Sequence, residues 1–182
     1  MASLPNSKTV TYEEWLRMPE VEDATEEVVN GEIRITPPEK WVHARTVEKV
    51  WRPLARQLDQ RQFCVLTAQF GLIIRKAPLT CRVPDLAVFE ESTIVEEDGF
   101  VCSAPQLVAE VLSPGEAPEE KLADYASLGV PEVWVISPEG RTVEVFHLED
   151  GHLRSAGFVA DGTLTPRLFP HVTVEIASLG SD

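Results

Sequence analysis

Two carboxylates set inside apolar runs are the residues best placed to do chemistry in this sequence. Asp85 lies in Val83-Pro84-Asp85-Leu86-Ala87-Val88-Phe89, and Glu110 in Gln106-Leu107-Val108-Ala109-Glu110-Val111-Leu112. Short apolar, β-branched runs of this kind read as strands. A carboxylate is costly to bury there unless it is paired or binds a metal, because the interior cannot replace its hydration. Two acids inside adjacent strands therefore invite a cation between them. Mg²⁺ or Mn²⁺ suits carboxylate oxygens and keeps several waters, the arrangement used to activate water against a phosphodiester. The competing reading is structural: each acid ends its strand at a solvated sheet edge. Residue types alone leave both open. Zinc chemistry has little support, since His43, His147, His152 and His171 form no HxxxH pair and no cysteine lies near one.

The elements that must position these acids follow from pattern and punctuation. Residues 63–66, 70–75 and 85–89 read as successive strands, and 107–112 as another. Residues 118–128 read as a helix closed by Gly129, and 132–136 and 142–147 as strands around Pro138-Glu139-Gly140. The Glu149-Asp150-Gly151 turn leads into a further hairpin strand. Upstream, Thr11 and Glu14 have capping-box spacing, so 11–18 reads as a short helix stopped by Pro19. Residues 26–29 and 32–36 flank Asn30-Gly31, a dipeptide that favours a type I′ hairpin turn. Between them and the strands, residues 40–59 form an amphipathic helix. Val47, Val50, Leu54 and Leu58 make its apolar face, while Arg45, Lys49, Arg52 and Arg56 recur at helical spacing on the other. His43 falls in phase with the apolar face and points inward as a hydrogen-bonded core histidine. Strand runs broken by two main helices predict an α/β or α+β fold, with helices flanking a central sheet.

The 182 residues, 43% hydrophobic and 25% charged, suit one globular domain with a single core over 1–182. A formal charge of −14 opposes phosphate backbones and anionic membranes. It is unevenly spread. Residues 34–82 hold ten Lys/Arg against three acids, a net of +7, while the remainder carries −21. DNA binding is therefore expected to be weak and steeply salt-dependent. Three widely spaced cysteines fit a reducing cytoplasm, the first residues lack a signal-peptide pattern, and no stretch approaches ~20 apolar residues.

Several ordered motifs carry a resemblance. They are Glu27-Val28-Val29-Asn30-Gly31-Glu32, Pro37-Pro38 with His43 following, Pro84-Asp85-Leu86-Ala87-Val88, and Glu110-Val111-Leu112-Ser113-Pro114. Lys121-Leu122-Ala123-Asp124-Tyr125-Ala126 and Gly129-Val130-Pro131-Glu132-Val133-Trp134 complete the set. Together they resemble the putative restriction endonuclease family of the PD-(D/E)XK nuclease superfamily, from about Tyr12 to the C-terminal strands. The resemblance implies a restriction endonuclease-like core, a mixed sheet flanked by helices with additional antiparallel hairpins. It also implies a Mg²⁺- or Mn²⁺-dependent endodeoxyribonuclease with Asp85 and Glu110 as metal ligands.

The superfamily places a lysine two residues after the second acid, where this chain has Leu112. Lys121 is the compensating candidate, and Lys121→Ala is expected to leave the melting temperature nearly unchanged. Glu27 is preferred as the acid of the first motif, with Glu32 in reserve, and whether Glu27, Glu32 or His43 completes the site stays open. The segment 113–120 carries three glutamates and no basic residue, which disfavours a phosphate substrate. The alternative is a non-catalytic binding or assembly module that keeps the nuclease fold. Pairing into a homodimer is open: Trp41 and Trp51 suit an interface or core burial equally.

Overall fold

The computed structural model describes residues 9–68, 70–176 and 179. Part of the N-terminal stretch read as lacking a signal peptide, residues 1–8, lies outside them. The capping box forms as expected. Thr11 Oγ1 accepts from Glu14 N at 3.2 Å, Glu14 Oε2 accepts from Thr11 N at 3.1 Å, and α1 (Tyr12–Trp15) follows. Strands β1 (Thr25–Val29) and β2 (Glu32–Thr36) pair antiparallel across Asn30-Gly31. Both turn residues are left-handed, φ 51° and 83°, as a type I′ turn requires. A Cβ on Gly31 would stand 2.8 Å from Thr9 Cβ, so glycine is also needed for the close approach. Helix α2 (Trp41–Gln57) then buries Val50 and Leu54.

The chain continues through β3 (Phe63–Thr67), β4 (Leu72–Lys76), β5 (Leu79–Arg82) and β6 (Leu86–Glu90). Two-residue strands β7 (Glu96–Glu97) and β8 (Phe100–Val101) precede β9 (Leu107–Val111). Helix α3 (Glu119–Leu128) stops at Gly129, φ 91°. Strands β10 (Glu132–Ser137), β11 (Thr142–Glu149) and β12 (His152–Val159) form a meander, and β13 (Thr163–Leu164) pairs with β14 (Val174–Glu175).

Two departures from the sequence reading matter. The strands divide into two six-stranded mixed sheets, β12-β11-β10-β9-β6-β3 and β2-β1-β5-β4-β8-β7, rather than one central sheet with hairpins. The split arises because β4 pairs with β5 and β8 instead of joining β3 and β6. Residues 79–82, unexpected from pattern, supply the strand that makes this possible. Asp85 stands at a bend one residue before β6, not within a strand, because Pro84 has no N–H to offer a ladder.

The interior correspondingly forms three apolar clusters rather than a single core. In the first sheet, β9 runs parallel to β10 with α3 as the crossover, and antiparallel to β6. Alternation sends Leu107, Ala109 and Val111 to the α2 face, with Val50, Leu54 and Phe169. It sends Val108 and Leu112 to the α3 face, with Tyr125, Leu72 and Val133. Glu110 shares that second face by register. A third cluster joins Tyr12 and Trp15 to Val28, Ile73 and Leu79 of the second sheet.

A buried cation fastens α3 to the second sheet. Arg82 at the end of β5 is 2% exposed. Its Nε and Nη2 donate to Asp124 Oδ2 at 2.9 and 2.7 Å, Nη1 to Glu27 Oε2 at 3.1 Å, and Nη2 also to Glu120 Oε1 at 2.7 Å. Arg75 adds a 3.0 Å bond to the other Asp124 oxygen, and Arg34 a bidentate grip on Glu120 at 2.6 and 3.1 Å. Arg34 and Arg82 hold the Glu120 carboxyl down at about 2.

Replacing Arg82 by Met leaves Asp124 and Glu27 without their shared cation, so chemical denaturation should show a loss of about 3–5 kcal/mol. Glu120 gives a pH signature. Its folded pKa lies below its unfolded value, so its contribution is complete above pH about 5 and fades as pH falls towards 2. The melting-temperature gap between wild type and Glu120→Gln should therefore be constant above pH about 5 and close on acidification. A gap that does not change with pH would show that Glu120 is unpaired in solution.

Candidate active site

One step beyond the Leu86↔Ala109 pair, the antiparallel register of β6 and β9 brings Asp85 opposite Glu110. Asp85 Oδ2 accepts the Val111 amide at 2.7 Å, so its carboxylate is fixed against the backbone that carries Glu110. Both acids are buried, at 8% and 3% exposure. Glu110 draws its donors from α3. Lys121 Nζ donates to Oε2 at 2.8 Å, and the Tyr125 hydroxyl donates to Oε1. Lys121 and Tyr125 are one helical turn apart, and both project to the sheet. Leu112, on the same face, packs into the apolar cluster.

The electrostatics follow from burial. Desolvation pushes the Glu110 carboxyl upward and the Asp85 charge adds to this, while Lys121 and the Tyr125 hydrogen bond pull it back. Burial opposes the Lys121 charge, but Glu110 outweighs it and holds the ammonium protonated. The Tyr125 hydroxyl is raised by burial and by the Glu110 charge, so it stays a donor.

Glu27 borders this group without entering it. One of its oxygens goes to Arg82 and the other to the Val83 amide at 3.0 Å, yet its charge reaches both Lys121 and Tyr125. Glu32 lies at the exposed end of the hairpin. Two of the three glutamates in 113–120 are paired: Glu116 lies 3.2 Å from Lys121 Nζ and accepts the Ser113 amide, and Glu120 is held by the arginines. The repulsion expected from that segment is correspondingly reduced.

Tyr125 is the residue that sequence reasoning did not place in the site, and His43, which it left open beside Glu27 and Glu32 as completing the site, lies against Asp85. His43 Nε2 comes within 3.0 Å of Asp85 Oδ1, and Nδ1 within 3.3 Å of Glu39. Neither approach is aligned as a hydrogen bond, so both ring nitrogens are buried without a directed partner. Burial alone would lower the His43 pKa, and Asp85 and Glu39 outweigh it and raise it. The available signals were positional: His43 in phase with the apolar face of α2, and Tyr125 four residues after Lys121.

Mg²⁺ or Mn²⁺ fits this donor set in chemistry and charge. Each carboxylate oxygen has two acceptor positions, and the protein donors use only part of them. Lys121 faces Glu110, and His43, its pKa raised by the carboxylates, faces Asp85. Among the described residues no group of three or more His, Cys, Asp and Glu is arranged to hold a metal. An ion here would thus rest on two protein carboxylates, with water and substrate oxygens for the rest, as is usual for Mg²⁺.

Comparison with known proteins agrees with the fold. The crystal structure of a putative nuclease belonging to DUF820 from Anabaena variabilis ATCC 29413 is similar, with a TM-score of 0.76 and 22% identity. The likeness covers 94% of this chain and 97% of that one, and it establishes the nuclease-like mixed α/β fold. No curated protein matches. Among the described residues no helix is long and apolar enough to cross a membrane. The family model Uma2, described as "Putative restriction endonuclease", matches residues 12–177, and the chain belongs to that family.

Proposed function

We propose that this chain is a metal-dependent endodeoxyribonuclease whose centre is Asp85, Glu110 and Lys121, with Glu27 at its border. The observation that carries the reading is Lys121 reaching from α3 to a buried Glu110 that lies beside Asp85. Lysine arrives from the helix because Leu112 occupies the strand position. Asp85 and Glu110 are the residues that would hold Mg²⁺ or Mn²⁺. Bound there, the ion supplies positive charge against the charge that develops on the phosphodiester.

The chain's own groups do the rest. Val111 N–H holds Asp85, and Tyr125 holds one Glu110 oxygen, so the acids cannot swing away. Lys121 orients water and presents a fixed charge to the phosphoryl oxygens in a site that needs no reorganisation. Arg82 keeps α3, and with it Lys121, in register with the sheet. DNA as substrate, action in the cytoplasm and pairing of two chains belong to this reading. Trp41, at 78% exposure, is not a core residue, whereas Trp51 is half covered and donates its indole N–H to Val65 O at 3.1 Å.

Supercoiled plasmid, duplex, single strand and RNA incubated at ~20 mM salt, where screening is weak, should be cut only with Mg²⁺ or Mn²⁺ present. Cleavage should stop with EDTA and fall to background in Asp85→Asn and Glu110→Gln. Equal nicking by wild type and both variants would trace the activity to a contaminant. No cleavage together with no Mn²⁺ binding by calorimetry would favour the non-catalytic module, toward which the packed Leu112 already points.

Lys121→Met should lower the rate by ~10²-fold or more. The expectation of an unchanged melting temperature does not survive the geometry. Lys121 is only 21% exposed and bonds a buried acid, so its loss should cost about 3 kcal/mol, relieved in part by protonation of Glu110. The double variant Lys121→Met/Glu110→Gln should regain much of that stability and stay inactive, separating folding from catalysis.

A further inference from the structure

A cavity of about 420 Å³ opens between the first half of α2 and the edge formed by β3 and the start of β6. Its walls are apolar: Ala44, Val47 and Trp51 from the helix, and Ala68 after β3. Trp51 is pinned by its bond to Val65 O, and its ring remains 38% exposed. The polar end carries His43, Thr67 and Asp85. Neither His43 nitrogen makes a well-directed hydrogen bond there, although each lies against a carboxylate, Nε2 at 3.0 Å from Asp85 and Nδ1 at 3.3 Å from Glu39, so the ring is a polar group at the mouth of an apolar cavity.

The charges select the kind of ligand. Among the described residues lining the cavity there is no lysine or arginine, and Glu39 and Asp85 contribute negative charge, Glu48 at its rim being paired with Arg45 and Arg52. A phosphate is therefore repelled. Arg45 and Arg52, each about half exposed, both pair with Glu48 on the outer face of α2. The arrangement is neutral to acidic inside and cationic outside. A nucleotide has the complementary layout, a flat uncharged base with hydrogen-bonding edges attached to a charged backbone. Asp85 is common to this cavity and to the proposed cleavage centre, so the occupant sits next to the phosphate under attack.

We infer that the cavity takes one unpaired nucleobase of the strand being cut, stacked on Trp51 with its polar edge toward His43 and Thr67. The inference rests on the nuclease reading above and narrows its substrate to single-stranded or locally opened DNA. A base stacked within a duplex cannot enter a pocket of this shape without leaving the helix, which costs least where it is already unpaired. Aromatic stacking accepts any base, so the cavity confers strand-state preference rather than sequence preference.

The test is binding without metal, by fluorescence anisotropy in EDTA at ~20 mM salt, using a labelled strand of about twelve nucleotides, within the span such grooves cover. The free strand should bind about tenfold tighter than the same strand annealed into a duplex. A 2-aminopurine in that strand should be quenched by wild type and not by Trp51→Ala. Trp51→Ala and the cavity-filling Ala44→Phe should both erase the preference for the free strand. Ala44 is exposed, so the second variant keeps the test valid if the first misfolds by circular dichroism. Equal affinity for strand and duplex, or a preference that survives Ala44→Phe, overturns the cavity assignment. A cavity-dependent preference in a protein that cuts no substrate with any metal overturns the cleavage reading instead and leaves the cavity standing.

Discussion

Charge that is buried must be paired, and in this fold one helix does the pairing twice. Glu120 and Asp124 of α3 close on Arg82, while Lys121 and Tyr125 close on Glu110. Each pair has the i, i+4 spacing of a single helical stripe, and because the pairs are offset by one residue the two stripes lie about 100° apart around the helix. One serves the second sheet through β5, and the other serves the first sheet through β9. The helix is therefore the joint between the sheets as well as the carrier of the lysine. Breaking either knot strands a carboxylate in the interior, a far larger penalty than losing an exposed ion pair.

On the proposed reading, this coupling would let Lys121 stand in for the lysine that the superfamily carries where this chain has Leu112. A lysine on β9 would be positioned by its own strand and would need nothing from α3. With Leu112 filling that face, the ammonium comes from a helix whose position depends on Arg82, and Arg82 depends on Glu27 in the N-terminal hairpin. Glu27 thus acts on the site through two intermediaries. Its nearness in sequence motifs and its distance from direct contact are consistent with each other.

Local chemistry was legible in the sequence and long-range chemistry was not. The Asn30-Gly31 turn, the Thr11/Glu14 box and the Gly129 stop each depend on residues within a few positions, and each forms where pattern places it. The apolar faces of α2 and β9 were visible for the same reason. Strand β5 was not, because Leu79-Thr80-Cys81-Arg82 is only four residues long, directly after Pro78, and its arginine is buried only by partners 38 to 55 residues away. The division into two sheets turns on that strand. His43 showed its inward direction but not its neighbour, since Asp85 meets it only after β3 and β6 pair. Tyr125 lies in the Lys121–Ala126 motif, and only the depth of Glu110 beneath α3 makes its hydroxyl consequential.

The internal pairing also changes what the basic segment can offer a nucleic acid. Arg34, Arg75, Lys76 and Arg82 all belong to the +7 stretch, and all are bonded to carboxylates outside it: Glu120, Asp124, Glu97 and Glu27. These cations hold the protein together rather than awaiting a phosphate. The charge facing solvent is concentrated on α2, where Arg45 and Arg52 already share Glu48. With four of the ten cations of that stretch bonded to carboxylates outside it and two more sharing Glu48, the gain available from counterion release is reduced. If the proposed nuclease reading holds, affinity draws on another source, and desolvating the apolar cavity wall beside Asp85 is the term that salt leaves nearly untouched. On the proposed reading, part of the basic stretch is bound up in holding α3 and the hairpin, and recognition leans correspondingly on shape and stacking against Trp51.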